Sequence, residues 1–341
     1  MTAPGDSFQL NRVFGRTRAP LNVRLTARLR RIPGLAALTW WQGFCDWLAL
    51  WSLLPHRGAF TYTARGQSRR IPFDGRNAQF EAVHDPLYEH GYEPETSLLL
   101  ARLCRSSGVF YDIGANWGYF SLLVAAAPDF NGRIHAFEPN PGSRADLMTT
   151  VAAAHLEHVI SVHAVAIGEK SGTARLQDAA AFRTGLASLT SDGEGPAIEV
   201  ARLDDLDLPP PAWMKIDVEG AETAVLRGAA RILRESRPSL IIENFLNREA
   251  HESTLGPLRL LEAAGYRLFV PAFALTDNGF PVLTSYWTHV PALLASQPSP
   301  PVHLKALKAA ERFLFGHHLN LFACPAERVD SLQLIPDLLI V

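Results

Sequence analysis

The sequence predicts an α/β protein: a mostly parallel sheet with helices on both faces. Two observations carry that expectation. From residue 108 onward, short apolar runs alternate with stretches of helical periodicity. Several of those runs also end in an acid or a glycine turn, as strands do at the ligand-binding carboxyl edge of an open sheet.

In chain order, residues 32–54, "IPGLAALTWWQGFCDWLALWSLL", are apolar around nearly the whole helical circumference and follow Arg24, Arg28, Arg30 and Arg31. Gln42 and Asp46 interrupt the roughly 20 apolar residues that a spanning helix needs. The stretch therefore reads as a helix packed on the main domain, with a helix lying on a membrane surface as the alternative. Residues 59–75 alternate apolar and polar about Gly66, a hairpin pattern, and Pro94 with Glu95 opens a helix reaching about residue 105.

Strands are expected at 109–113, 133–137, 159–163, 213–217 and 239–243, with helices near 117–127, 141–154 and 222–236. Residues 169–212 are turn-rich, with an edge hairpin. A helix near 254–264, a strand at 266–270, an irregular proline-bearing insertion at 275–316 and a strand at 319–325 complete the chain. The expected division is an N-terminal helical and hairpin extension over 1–87 and a main domain over 88–341, with its recognisable core at 108–245. The extension and the 275–316 insertion are expected to wall the carboxyl edge of the sheet and select the substrate.

Composition narrows the class. With 341 residues, 48% hydrophobic and 19% charged, the chain can bury a sizeable core. A net charge of −2 lends nothing to a nucleic-acid partner. Cys45, Cys104 and Cys324 form no C-x-x-C, so neither a zinc cage nor a disulfide framework is indicated. With no apolar signal run in the opening residues, a cytoplasmic, reducing home is expected, with membrane association as an open alternative.

The glycine turn lies in "FYDIGANWGYFSLL", residues 110–123. A triphosphate would require a lysine after the loop, and none follows. A dinucleotide favours G-x-G-x-x-G, whereas Gly114-Ala-Asn-Trp-Gly118 sets the bulky Trp117 where phosphate would approach. The third candidate is S-adenosylmethionine, whose cationic groups suit Asp112 at the strand end. In "RIHAFEPNP", Glu138 ends the next strand, where an acid can accept both hydroxyls of a ribose diol, a feature that a nicotinamide dinucleotide would share. In "WMKIDVEGAETAVLRGA", Asp217 ends a third strand, with Glu219 and Glu222 close by. Acids gathered in one cleft raise at least one pKa, and a cation relieves them; Glu222 equally suits the following helix's N-terminus.

Taken together, "GYEPETSLLL", "VFYDIGANWGYFSLL", "HAFEPNP", "LDDL" and "MKIDVEGAETAVLRGA" resemble, in order, the blocks of the FkbM family of S-adenosylmethionine-dependent methyltransferases over about residues 88–245. The resemblance implies a class I methyltransferase (Rossmann-like) fold with a seven-stranded, mostly parallel sheet and an antiparallel last strand. It places Asp112, Gly114, Asn116 and Gly118 on the methionine side of the cofactor, Glu138 on the ribose, and Asp217 at the methionine amino end or the acceptor. It implies O-methylation of a hydroxyl on a sugar, polyketide or similar specialised metabolite. "HAVAIG" (163–168) falls where adenine is contacted but lacks an acid, so backbone and apolar contacts are expected there. A nicotinamide-dependent oxidoreductase, and an inactive cofactor-binding protein acting through its Trp-rich segment, are the alternatives.

An alcohol acceptor must lose a proton, so a base or a metal is expected. "PSLIIENF" brings Glu243 and Asn244 to the strand end beside Asp217. Asp217, Glu243 and Asn244 are hard oxygen ligands that could hold magnesium or calcium, although Glu is longer than the Asp such sites favour. The favoured reading has no metal and uses Glu243 or Asp217 as general base. His84, His90, His289, His317 and His318 fall in loops or insertions and read as surface or structural residues.

Overall fold

Phe110 to Ile113 are all buried in the Val109–Ile113 strand, because this strand lies mid-sheet with helices on both faces. The structure, a computed structural model, describes residues 8–32, 34–35, 38–51, 54–177, 188–190, 195–277, 280–284, 290–297 and 299–341. Across the sheet the strands run Ile160–His163, Arg133–Phe137, Val109–Ile113, Trp213–Ile216, Ser239–Asn244, Leu319–Pro325, Tyr266–Asp277, Val302–Leu307 and Leu338–Ile340. The first five are mutually parallel, and Leu319–Pro325 enters antiparallel between Ser239–Asn244 and Tyr266–Asp277. This is a class I methyltransferase sheet. It is larger than the seven strands expected: Val302–Leu307 and Leu338–Ile340 extend it, and Phe280–Thr284 pairs with Tyr266–Asp277.

Alternation along each strand divides the core in two. Phe110, Ile134, Ala136 and Ile241 enter one apolar cluster, while Tyr111, Ile113, Met214 and Ile242 enter the other. Each large side chain so buried contributes about 1.5–3 kcal/mol before entropy is charged against it.

The hairpin Arg57–Ala64 and Gln67–Asp74 forms about Gly66, whose φ of +73° suits the turn. Its Phe60 and Phe73 join the first cluster, and Tyr62 Oη donates to the Leu122 carbonyl at 2.9 Å. The N-terminal residues are thereby fastened to the helix after the glycine turn. Leu21–Arg30 and Thr39–Trp51 form two helices packed on each other. Among the described residues no helix is long and apolar enough to cross a membrane.

Several expected elements differ. The helix expected at 222–236 is two, Glu222–Gly228 and Ala230–Glu235. The chain kinks where Gly228 passes Gly168, so closely that a Cβ would lie 2.0 Å from the Gly168 carbonyl oxygen. Residues 275–316, expected as an irregular insertion, supply Val302–Leu307 to the main sheet. The turn-rich 169–212 region supplies Gly172–Gln177, Ser188–Thr190 and Ala197–Ala201 to a small second sheet that the preceding Ala166–Ile167 completes. Parts of three expected elements lie outside the described residues: 33, 36–37 and 52–53 of the Trp-rich stretch, 178–187 and 191–194 of the edge hairpin, and 278–279, 285–289 (with His289) and 298 of the insertion.

Candidate active site

The glycine turn joins two strand ends that almost touch. Gly114 has φ +83°, and a Cβ there would lie 1.7 Å from the Asp217 carbonyl oxygen, so no other residue fits. Its N–H and that of Ala115 donate to the Phe137 carbonyl at 3.0 and 3.1 Å, which ties the turn to the next strand. Asn116 is left-handed at φ +49°, and the helix Tyr119–Ala126 starts after Gly118. Trp117 turns into the protein: its indole N–H donates to the Gln79 carbonyl at 3.0 Å and its ring stacks on Phe80. Gln79 and Ala82, from the N-terminal residues, line the same cavity as Gly114 to Trp117.

Glu138 ends the Arg133–Phe137 strand at the cavity wall. Its two oxygens accept from the N–H groups of Asn116 at 2.8 Å and Asn140 at 2.7 Å. Burial raises its pKa to about 7, and the two N–H groups work against that rise. Asn140 caps the helix Pro141–Ala154 with its side-chain oxygen, while its Nδ2 is buried with no partner among the described residues. Beyond Glu138 the wall is apolar: Phe137, Val165, Ala166, Ile167 and Leu176. The 163–168 segment thus lines the cavity without an acid.

On the other side of the turn stand Asp217, Glu219 and Glu243, whose carboxylate oxygens lie within 4.8 Å of one another. Lys215, buried mid-strand, places Nζ 2.6 Å from Asp217 Oδ2 and 4.3 Å from the Phe120 ring centroid. Burial disfavours the ammonium, but the charges of Asp217, Glu93 and Asp112 outweigh it and raise the lysine's pKa. Burial likewise favours a neutral Asp217; Lys215 and a hydrogen bond from Glu243 overcome it and hold the carboxylate below its ordinary pKa. Glu243 goes the other way, pushed far up by burial and then by Asp217's charge, so it keeps its proton. Burial, with Asp217 and Glu222 adding, raises Glu219 to about 8. Glu93, left-handed at φ +41° and buried, accepts from Asn320 Nδ2 at 2.9 Å, and burial lifts its pKa to about 7.

The structure brings together Gly114, Asn116, Glu138, Asp217 and Glu243 around one cavity, but not every expected residue. Asp112 lies behind the wall, 1% exposed, accepting from Ser121 Oγ at 2.6 Å. Gly118 also lies behind it, with φ +95° and room for a Cβ denied by Leu147. Asn244 points away from Glu243, as neighbours on a strand must. Its Oδ1 accepts from Arg312 Nε at 2.5 Å and its Nδ2 donates to the Thr254 carbonyl, so the expected Asp217, Glu243 and Asn244 cluster does not form. Glu222 accepts from the Gly220 N–H at 2.9 Å at the start of its own helix. His84, expected in a loop, ends the short helix Glu81–His84 and is a buried structural residue stacked on Phe73. Lys215 and Glu93 are the functional candidates that sequence reasoning passed over. A lysine inside the apolar run "WMKIDV" was the available signal, since a buried ammonium requires acids.

Residues 112–268, just under half of the chain, match the family model described as "Methyltransferase FkbM domain". A comparison with curated proteins finds no match. Among solved structures, the chain is similar to the methyltransferase FkbM from Methylobacillus flagellatus KT, at 23% identity over 48% of this chain and 40% of that one, with a TM-score of 0.37. It therefore spans well under half of that relative's length. It is also similar to the precorrin-6y C5,15-methyltransferase from Geobacter metallireducens GS-15, at 17% identity, covering 59% of this chain and 84% of that one, TM-score 0.36. An O-methyltransferase from Bacillus cereus in complex with SAH shows 13% identity over 56% and 77% of the two chains, TM-score 0.35.

Proposed function

Residues 112–268 of this chain match the methyltransferase FkbM domain, and on that premise we propose that it binds S-adenosylmethionine and methylates a hydroxyl group. The observation that carries the reading is the cavity's acidic lining. Glu138, Asp217, Glu219 and Glu243 line it, and the lysine among its described lining residues is bound to Asp217. The raised carboxyls of Glu138, Glu219 and Glu243 ionise as a cation enters and stabilise it, whereas a pyrophosphate gains nothing from such a wall, which disfavours a nicotinamide dinucleotide.

The donor set fits the cofactor. Glu138 retains lone pairs for a ribose diol, and the unpartnered Asn140 Nδ2 is a donor beside it. Phe137, Val165, Ile167 and Leu176 offer an apolar slot for adenine, while the acid trio suits the ammonium and sulfonium. Bound there, S-adenosylmethionine would supply an electrophilic methyl for displacement by the acceptor oxygen. The glycine turn and the strand ends would hold cofactor and acceptor together in one cavity, and positioning of that kind supplies much of the rate.

Glu243 is our general base. Asp217 accepts its proton in a hydrogen bond while the site lacks a cation. Positive charge beside the three acids lowers Glu243's pKa, the proton leaves to solvent, and the freed carboxylate then accepts the proton of the acceptor hydroxyl. Lys215 holds Asp217 ionised throughout and keeps it from competing for that proton. The resemblance favours an acceptor among sugars, polyketides and similar specialised metabolites. Transfer of tritiated methyl to hydroxyl acceptors in sugar, lipid and polyketide extracts tests the reading. Labelled product that is lost in Glu243→Gln supports it; label appearing only on nitrogen or carbon acceptors refutes the hydroxyl assignment.

A further inference from the structure

Between residues 8 and 45 the chain carries seven arginines and no aspartate, glutamate or lysine, although the whole chain is net −2. The helix Thr39–Trp51, which begins in this stretch and carries Asp46 just beyond it, exposes Trp40 at 64%, Phe44 at 42% and Trp47 at 55%. The spacings of four and three set them in one row on one face. Cys45, on another side, is fully buried. The rings stabilise one another: Trp41 stacks on Phe44, and Phe44 on Trp47. Aromatic rings of this size, left in water as a contiguous row, mark a contact surface.

The arginines sit at the same end. Trp41 Nε1 donates to the Leu29 carbonyl at 2.9 Å, which clamps the last turn of Leu21–Arg30 against the first turn of Thr39–Trp51. Exposed Arg28, Arg30 and Arg31 are therefore grouped with Trp40 and the exposed Leu38 at the tip of the helical pair. The base of the pair is held elsewhere, where the Asn22 N–H donates to the Pro55 carbonyl at 3.2 Å and Pro20 packs on Gly75.

We propose that this helical pair docks the protein on an anionic lipid surface, with Trp40, Phe44 and Trp47 in the headgroup region and Arg28, Arg30 and Arg31 on lipid phosphates. Charge complementarity selects that occupant. A helix with an aromatic face and one acid, Asp46, taken together with the three guanidinium groups of Arg28, Arg30 and Arg31, carries net positive charge and matches a negatively charged, deformable interface. Docking is in-plane rather than spanning, since no described helix is long and apolar enough to cross.

The test is co-sedimentation of the full chain with vesicles of phosphatidylcholine alone or mixed with phosphatidylglycerol. Expected is binding to the mixed vesicles only, weakening with salt. Replacing Trp40, Phe44 and Trp47 together by Ala should weaken it at least about tenfold, and replacing Arg28, Arg30 and Arg31 together by Gln on the order of a hundredfold. Thermal melting checks that each variant folds. In the unaltered protein, brominated lipid should quench tryptophan fluorescence. No sedimentation with anionic vesicles, no quenching, or equal binding by folded variants would overturn the proposal. So would self-association abolished by Trp40→Ala without vesicle binding, which would assign the face to a second copy.

Discussion

Lys215 Nζ and Asp217 Oδ2 lie 2.6 Å apart, two residues along one strand end, with the lysine side chain buried and the aspartate one-quarter exposed to the cavity. Lysine supplies positive charge to Asp217, Glu93 and Asp112 at once. Removing one member of such a cluster strands the others without compensation. Lys215→Met should destabilise the fold by about 3–5 kcal/mol. The loss should grow with pH, because the stranded acids must stay protonated to remain buried. Urea unfolding at mildly acidic and mildly alkaline pH measures both; a small, pH-independent loss would contradict the role given to this lysine.

Glu138 accepts two backbone N–H groups and still faces the cavity. In Glu138→Gln the amide keeps one acceptor oxygen but presents an N–H₂ to the other donor. Cofactor affinity should fall by about 1.5–3 kcal/mol, the range for hydrogen bonds to a charged group. Isothermal titration with S-adenosylhomocysteine reads this. Unchanged affinity would remove Glu138 from the ribose site.

Gly114 and Gly220 both have positive φ, +83° and +100°, but differ in space. A Cβ at Gly114 meets the Asp217 carbonyl oxygen at 1.7 Å, whereas at Gly220 it meets nothing within 4 Å. Gly220→Ala should therefore cost only the backbone strain, about 1–2 kcal/mol. Gly114→Ala should cost more than about 4 kcal/mol or prevent folding. Comparable melting of the two variants would show that the strand ends are not locked together.

Glu138 and Glu93 titrate near 7 and Glu219 near 8, all raised by burial. A carboxyl whose folded pKa is raised stabilises the fold fully below its unfolded pKa and loses that contribution as pH rises through the folded value. Stability without ligand should thus decline from about pH 4.5 to about pH 8 on account of these groups. The same ionisation favours a cation. The preference for S-adenosylmethionine, which carries the sulfonium, over S-adenosylhomocysteine should rise between pH 6 and 9, roughly the window of those values. A flat ratio would contradict placing the sulfonium beside the acids.

Turnover should be indifferent to EDTA. Asn244 is engaged by Arg312, Lys215 already compensates Asp217, and Glu243 is hydrogen-bonded to Asp217, which leaves Glu219 and the remaining oxygen of Glu243 as donors of the cluster. Two carboxylates beside a fixed ammonium make a poor divalent site. Loss of turnover with EDTA that magnesium restores would overturn the choice of Glu243 as base.

What the sequence revealed was local. The Val109–Ile113 strand, the helix Pro141–Ala154 and the strand Leu319–Pro325 have the boundaries expected from pattern, because apolar period, Pro and Asn caps act over neighbouring residues. Gly114 and Glu138 were readable for the same reason: a turn needs φ above zero, and a strand tip needs its polar residue to face outward. Arg312 reaching Asn244 across 68 residues was not readable, nor was Asp112 turning to Ser121, since these depend on which chains the fold stacks together. Lys215 stood in plain sight between Met214 and Ile216. Its partners come from three separate segments, so its burial carried no address.

The central claim is that one acid-lined cavity at the glycine turn holds S-adenosylmethionine. The most direct measurement is the shift in melting temperature of the full chain with S-adenosylhomocysteine, set against NAD, for the unaltered protein and for Glu138→Gln. The expected result is a concentration-dependent rise with S-adenosylhomocysteine, none with NAD, and a much smaller rise in the variant. Stabilisation by NAD but not S-adenosylhomocysteine would contradict the account.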